Sequence, residues 1–165
     1  MPSPLSRNMP RLDRPARPMQ ILLIEDNPAD VELTRQCFRE SRITNEVHAA
    51  TDGDTALAFL RRSGPFAAAP RPDLVLLDLN LPGIDGREIL ATIKRDPDLQ
   101  TIPVVVLTTS DADDDIREAY RLQANSYLRK PVDLDEFIEL ADAVCTYWFR
   151  YVQLPPPERA SLSNH

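Results

Sequence analysis

Glu25-Asp26, Asp78 with Asn80, Thr108 and Lys130-Pro131 are the residues of this chain whose types could do chemistry together. Each stands at or just past the end of an apolar run that reads as a β-strand. In an open parallel sheet the carboxyl ends of the strands meet along one edge, where such folds build their sites. The set would bring three carboxylates, a hydroxyl and an ammonium to one crevice. Hard divalent cations such as Mg2+ favour carboxylate, carbonyl and water oxygens, which Glu25, Asp26, Asp78 and the Asn80 carbonyl could supply. A carboxylate can also attack a phosphoryl group and form an acyl phosphate. Asp78 ends the most apolar strand of the chain, and burying its charge unpaired would be costly, so it belongs at the strand's open end. Lys130 is a long point charge suited to a phosphoryl oxygen, and the Thr108 hydroxyl could donate to one. The Lys130-Pro131 bond is of the type that can be cis, which would turn the chain sharply and aim the ammonium at the crevice. Singly, these residues read as an acidic turn, a capping Asp, a surface Lys and a β-favouring Thr. Four strand ends that supply suitable groups in order favour a joint functional reading.

The elements that must position them alternate along the chain. Residues 19–24 form an apolar run that ends in the acidic pair. Residues 28–41 read as a helix capped by Asn27, since Pro is favoured at the first helical position; Leu33, Thr34, Cys37 and Phe38 share one face. A short strand over 46–50 precedes a helix over 52–62 with Ala56, Leu57, Phe59 and Leu60 as its apolar positions. Helix breakers from Ser63 to Pro72 make a loop. Residues 73–77 (DLVLL) and 103–107 (PVVVL) are almost wholly apolar, as expected of central parallel strands covered on both faces. Between them lie a loop marked by Gly83 and Gly86 and a helix over 87–95, which Asp96-Pro97 stops. A polar helix over 111–122, a short strand over 125–128 and a long helix over 133–151 complete the pattern. Five strands alternating with five helices imply an α/β fold, a parallel sheet wound on both sides with right-handed crossovers.

Composition narrows the function classes. Asp and Glu outnumber Lys and Arg by 26 to 19 in 165 residues, a net charge of −7, which argues against nucleic acid as the main partner. Cys37 and Cys145 lie in no metal-binding or redox spacing and read as small core hydrophobes. No apolar run approaches the ~20 residues of a membrane span, and the N-terminus lacks the apolar region of a secretory signal; a cytoplasmic protein is expected. Residues 1–18, rich in Pro and Arg, read as a flexible arm, residues 19–151 as the folded domain and residues 152–165 as a polar tail.

The segments ILLIEDNPADVELT, DLVLLDLNLPGIDGREIL, IPVVVLTTSDADDD and SYLRKPVDLDEF resemble response-regulator receiver domains of two-component signalling, over residues 19–150. The resemblance implies a flavodoxin-like (βα)5 fold with five parallel strands and five helices. It implies that Asp78 is the phosphoacceptor, taking phosphate from a phosphohistidine on a sensor histidine kinase. Asp26 and Asp78 would bind Mg2+ (or Mn2+) directly, joined by the Asn80 carbonyl, with Glu25 acting through a metal-bound water. Lys130 would contact the phosphate. Thr108 would move to hydrogen-bond it, and Tyr127 would be the aromatic switch that turns inward with it. Such a protein is a phosphoacceptor rather than an enzyme, its own phosphoryl transfer and autodephosphorylation aside. Residues 152–165 are too few for an output module, so a stand-alone receiver that signals by docking to another protein, or by passing phosphate onward, is expected. The opening EDNPAD and the closing WFRYVQLP resemble small receivers that partner phytochrome-type histidine kinases.

In the last helix Phe137, Ile138, Ala141, Val144, Cys145 and Trp148 follow a core stripe. Leu140, Tyr147 and Tyr151 fall on another face, at i, i+7 and i+11. A surface helix with two apolar faces meets a partner, and a homodimer through this helix is expected. Two rivals share parts of the pattern. A phosphatase of the haloacid dehalogenase type needs a second acid two residues after its nucleophile, where this chain has Asn80. A flavodoxin-like cofactor binder needs a phosphate loop rich in Gly, Ser or Thr, where this chain has Glu25-Asp26-Asn27-Pro28.

Overall fold

Three apolar strands form the centre of the molecule, and both of their faces are covered. The structure, a computed structural model, describes residues 17–81 and 83–156. Strands β1 (Met19–Ile24), β2 (Asn45–Ala50), β3 (Leu74–Leu77), β4 (Val104–Thr108) and β5 (Ser126–Arg129) pair in parallel in the order β2-β1-β3-β4-β5. Helices α1 (Pro28–Arg39), α2 (Gly53–Arg61), α3 (Gly86–Arg95), α4 (Asp113–Arg121) and α5 (Leu134–Cys145) connect and follow them. The chain order reverses direction at β1, which sets the carboxyl ends of β1 and β3 side by side, Ile24 against Leu77. That junction is where an open parallel sheet leaves a crevice.

Alternation within the apolar runs sorts them into two cores. Leu22, Ile24, Val75, Leu77, Val104 and Val106 face Phe59, Leu60, Ile89, Leu90 and Ile93 of α2 and α3. Ile21, Leu23, Leu74, Leu76, Val105 and Leu107 face Cys37, Phe38, Phe137, Ala141 and Val144 of α1 and α5. Both cysteines are buried free thiols, as their apolar setting suggested. Among the described residues no helix is long and apolar enough to cross a membrane.

Side chains set the helix starts. Asn27 Oδ1 accepts from the Ala29 and Asp30 N–H groups, Asp52 from Thr55, Asp85 from Arg87, and Asp133 from Asp135 and Glu136. Asp52 and Asp133, expected as first helical residues, are therefore caps, as capping residues with extended backbones must be. Helix α4 is shorter than expected: it starts at Asp113, with Ala112 as its cap. The Ala112 N–H bonds to Ser110 Oγ at 3.3 Å, and the Asp111 carboxylate pairs with Arg129 at 3.0 Å. Strand β4 is shifted by one residue toward its carboxyl end, to Val104–Thr108, because Lys130 N–H bonds to the Thr108 carbonyl at 2.8 Å and keeps Thr108 in the ladder.

Three expectations need correction. The described peptide bonds are all trans, Lys130-Pro131 included. The last helix does not run as one α-helix to Tyr151: α5 ends at Cys145 and Thr146–Tyr151 is π-helical, with the Val152 N–H on the Tyr147 carbonyl at 2.9 Å. The wider turn lets the consecutive aromatics Trp148 and Phe149 both pack against the second core. Leu140 also packs on that core, so it does not share an exposed face with Tyr147 and Tyr151, which are 57% and 61% exposed. Most of the expected flexible arm, residues 1–16, and of the expected tail, residues 157–165, lies outside the described residues. Arg17, assigned to that arm, is held instead: its guanidinium bonds both Asp73 oxygens at 2.9 Å and lies 5.8 Å from the Phe149 ring centre.

Gly86, read from the sequence as a loop marker, is a contact point between α3 and the carboxyl end of β3. Its N–H bonds to the Leu79 carbonyl, and a Cβ there would stand 2.5 Å from the Asp78 carbonyl oxygen and 2.7 Å from the Leu79 Cα. Both obstacles are backbone and cannot rotate aside. Gly86→Ala is therefore expected to destabilise the fold by about 1–3 kcal/mol, read as a lower urea midpoint at unchanged slope. A midpoint equal to that of the parent protein would refute the contact.

Candidate functional site

The carboxyl ends of β1, β3, β4 and β5 converge on Asp78. Its backbone N–H is tied to the Ile24 carbonyl at 3.0 Å, which holds the end of β3 against the end of β1. Its Oδ1 accepts the Asn80 N–H at 3.0 Å and the Thr108 hydroxyl at 3.2 Å. Its Oδ2 accepts Lys130 Nζ at 3.2 Å, and the same ammonium donates to Glu25 Oε2 at 2.8 Å. The other Glu25 oxygen accepts the Asn27 N–H at 3.2 Å. Glu25, Asp78, Thr108 and Lys130 are all buried. Asp26 is half-buried and Asn80 exposed at the mouth of the crevice. A weaker pair joins Lys130 to Asp30 of α1 at 3.9 Å.

One ammonium thus serves two buried carboxylates, and the imbalance shows in their protonation. Burial pushes the Glu25 carboxyl up to about 7, the neighbouring Asp78 carboxylate adds to the rise, and Lys130 opposes it. Burial also works against ionised Asp78, but hydrogen bonds from Glu25 and from the Asn80 N–H, with the charge of Lys130, hold it below the ordinary range. Lys130, although buried, is raised by its bonds to Glu25 and Asp78. Of the pair, Asp78 is the one held toward its ionised form and Glu25 the one that takes up a proton more readily.

The donors at this crevice are all hard oxygens with surplus negative charge, which fits Mg2+ or Mn2+. Among the described residues no three carboxylate, imidazole or thiol groups stand close enough to form a ready-made cage. Lys130 occupies one oxygen each of Glu25 and Asp78, so an ion would have to draw on Asp26, the other oxygen of Asp78 and the Asn80 carbonyl.

Tyr127 lies on β5 opposite Val106. It packs partly buried against the first core and donates its hydroxyl to the Ser110 carbonyl at 2.9 Å. Sequence reasoning missed Gly86, and it missed Arg87, whose guanidinium binds Asp85, Asp115 and Glu118. A lone Arg after a helix cap carries no sequence signal of such a role.

Residues 21–142 match the family model of the response regulator receiver domain. The chain is 46% identical over 138 residues to the response regulator Rcp1 of Synechocystis sp. (strain ATCC 27184 / PCC 6803 / Kazusa), covering 84% of this chain and 94% of that protein. The crystal structure of the Mn2+-bound form of Rcp1 superposes with a TM-score of 0.77 at 45% identity, over 84% of this chain and all of the other. The phosphorylated cyanobacterial phytochrome response regulator RcpA superposes with a TM-score of 0.79 at 44% identity, over 85% of this chain and all of the other.

The raised Glu25 carboxyl has a signed consequence. The folded chain holds a proton between the ordinary carboxylate range and about 7, whereas the unfolded chain has released it, so stability falls as pH rises through that window. The lowered Asp78 acts in a separate window, below the ordinary range. In chelator, urea stability is expected to drop by on the order of 2 kcal/mol from about pH 5 to about pH 8. Glu25→Gln, which keeps an acceptor for Lys130, should flatten most of that slope. Parallel profiles for the two proteins would refute the assignment.

Proposed function

This chain belongs to the response regulator receiver family, and from that premise we propose that Asp78 is its phosphoacceptor. It is a two-component signalling protein. The observation that carries the assignment is the convergence of the Asn80 N–H, the Thr108 hydroxyl and the Lys130 ammonium on one buried, ionised carboxylate.

An Asp78 oxygen attacks the phosphorus of a phosphohistidine on a sensor kinase. The new O–P bond forms as the N–P bond breaks, and the imidazole leaves. Such transfer needs positioning and charge neutralisation more than covalent help. Lys130 turns its ammonium to the transferred oxygens, and the Asn80 N–H keeps the carboxylate oriented. Asp26, Asp78 and the Asn80 carbonyl would hold Mg2+ or Mn2+, with Glu25 in reach through a water; the bound ion would neutralise charge on the moving phosphoryl group. Thr108 hydrogen-bonds the attached phosphoryl group, and Tyr127 moves with it, so that modification biases an equilibrium between two arrangements of the β4–α4 loop. In this structure Thr108 already points at Asp78 with Tyr127 bound to Ser110.

The upstream partner is a histidine kinase of the phytochrome type, supported by the likeness to RcpA, a cyanobacterial phytochrome response regulator. The chain works in the cytoplasm, a reading supported by its two unlinked, buried thiols. The downstream partner is a protein. A homodimer forms through the π-helical end of the last helix, where Tyr147 and Tyr151 stand exposed.

Two measurements test this reading. Incubation with acetyl phosphate and Mg2+ should add one phosphate to the intact mass. Asp78→Asn should take none, and Lys130→Ala should react on the order of 100-fold more slowly. Acid-labile label retained on Asp78→Asn would overturn the assignment. Sedimentation at low concentration should give twice the chain mass, falling to a single chain in Tyr147→Glu; an unchanged mass in that variant would move the interface elsewhere.

A further inference from the structure

The guanidinium of Arg87 closes a ring that begins and ends at Asp78. On one side, Arg87 follows Gly86, whose N–H is bonded to the Leu79 carbonyl and which leaves no room for a Cβ beside the Asp78 carbonyl. On the other, Arg87 Nη2 bonds to Asp115 Oδ1, and the second Asp115 oxygen accepts the Ser110 hydroxyl at 2.6 Å. Ser110 is two residues past Thr108, whose hydroxyl returns to Asp78 Oδ1 at 3.2 Å. The same Ser110 offers its carbonyl to Tyr127 at 2.9 Å. Arg87 Nε bonds to Glu118 at 3.0 Å and Nη1 to Asp85 at 3.2 Å, so the fork is fully engaged and its plane is set.

The position of the β4–α4 loop therefore depends on a side chain from α3. The loop's other ion pair, Arg129 with Asp111, is 61% and 69% exposed and contributes little. The side chains of Arg87 and Asp115 are 21% and 26% exposed, and several bonds act together. The Ser110 hydroxyl and Arg87 both hold the Asp115 carboxyl below its ordinary range, as expected for a carboxylate locked in place.

We propose that Arg87 is a positioning residue: acting through Asp115 and Ser110, it holds the β4–α4 loop, which follows Thr108, where Tyr127 can bond the Ser110 carbonyl. The functional side of this inference rests on Asp78 being the phosphoacceptor. Without the clamp the loop releases Tyr127, while Thr108 stays in the β4 ladder. A mere staple between α3 and α4 would change stability and leave Tyr127 where it is.

The test uses the full chain labelled with 3-fluorotyrosine, with the Tyr127 fluorine resonance assigned by Tyr127→Phe. In the unmodified protein, Arg87→Ala and Ser110→Ala should each move that resonance toward the position of the exposed tyrosines. The double variant should move it no further, because both changes cut one chain. Arg87→Lys, a point charge without the fork, should restore less than half of the shift. Labelling by acetyl phosphate should slow at least about fivefold in each single variant, the low end of an allosteric coupling. Should Arg87→Ala fail to fold, Ser110→Ala and Asp115→Asn carry the same measurement with smaller changes. An unmoved Tyr127 resonance in a folded variant, or additive shifts in the double variant, would overturn the clamp. Absence of labelling in the parent protein would overturn the phosphoacceptor reading instead, and the resonance would still decide the clamp.

Discussion

Two carboxylates share one ammonium in a place with little water. Glu25 and Asp78 are both buried, and both lean on Lys130, at 2.8 and 3.2 Å. Unpaired buried charge is costly, so one Lys cannot leave both carboxylates ionised without strain. The structure settles this by unequal support. Asp78 also receives the Asn80 N–H and the Thr108 hydroxyl, and Glu25 receives less, so Glu25 is the one shifted toward protonation. The surplus negative charge is what a divalent ion or a transferred proton would answer. The oriented and partly neutralised state of Asp78 is what the phosphoacceptor role proposed for it requires.

That arrangement depends on the sheet. Adjacent strands lie about 4.8 Å apart, so the ends of β1, β3, β4 and β5 span a distance that only side chains of suitable length can bridge. The short hydroxyl sits on β4, directly beside β3. The long ammonium comes from beyond β5 and reaches across β4 to both β3 and β1. Glu25 extends from β1 toward the same point. The strand order β2-β1-β3-β4-β5 puts these lengths in the right places. Two apolar cores, one on each face, keep the strand ends from shifting.

Much of this was legible in the chain itself, for identifiable reasons. The runs at Met19–Ile24, Leu74–Leu77 and Val104–Thr108 are apolar because both faces are covered, and their polar successors stand out for the same reason. Asn27 before Pro28 announces a helix start by local chemistry. The misses have physical causes as well. Thr108 belongs to β4 because Lys130, 22 positions away, donates to its carbonyl. Helix α4 starts at Asp113 because the Ala112 N–H is taken by the Ser110 hydroxyl oxygen. The turn after Cys145 is wide and Trp148 and Phe149 both find the core, so Tyr147 and Tyr151, which lie in it, do not fall on the face of Leu140 as they would in a regular helix.

The sequence by itself determined the kind of chemistry and its place. Carboxylates, a hydroxyl and an ammonium at strand ends follow from residue types and from the alternation of apolar and polar segments, both of which are local. Tertiary structure alone decided which carboxylate keeps its charge, how Gly86 seats α3 against Asp78, and that Arg87 reaches Ser110 through Asp115. Those outcomes depend on distances between residues far apart in the chain and on how far each is removed from water. A linear pattern carries neither quantity.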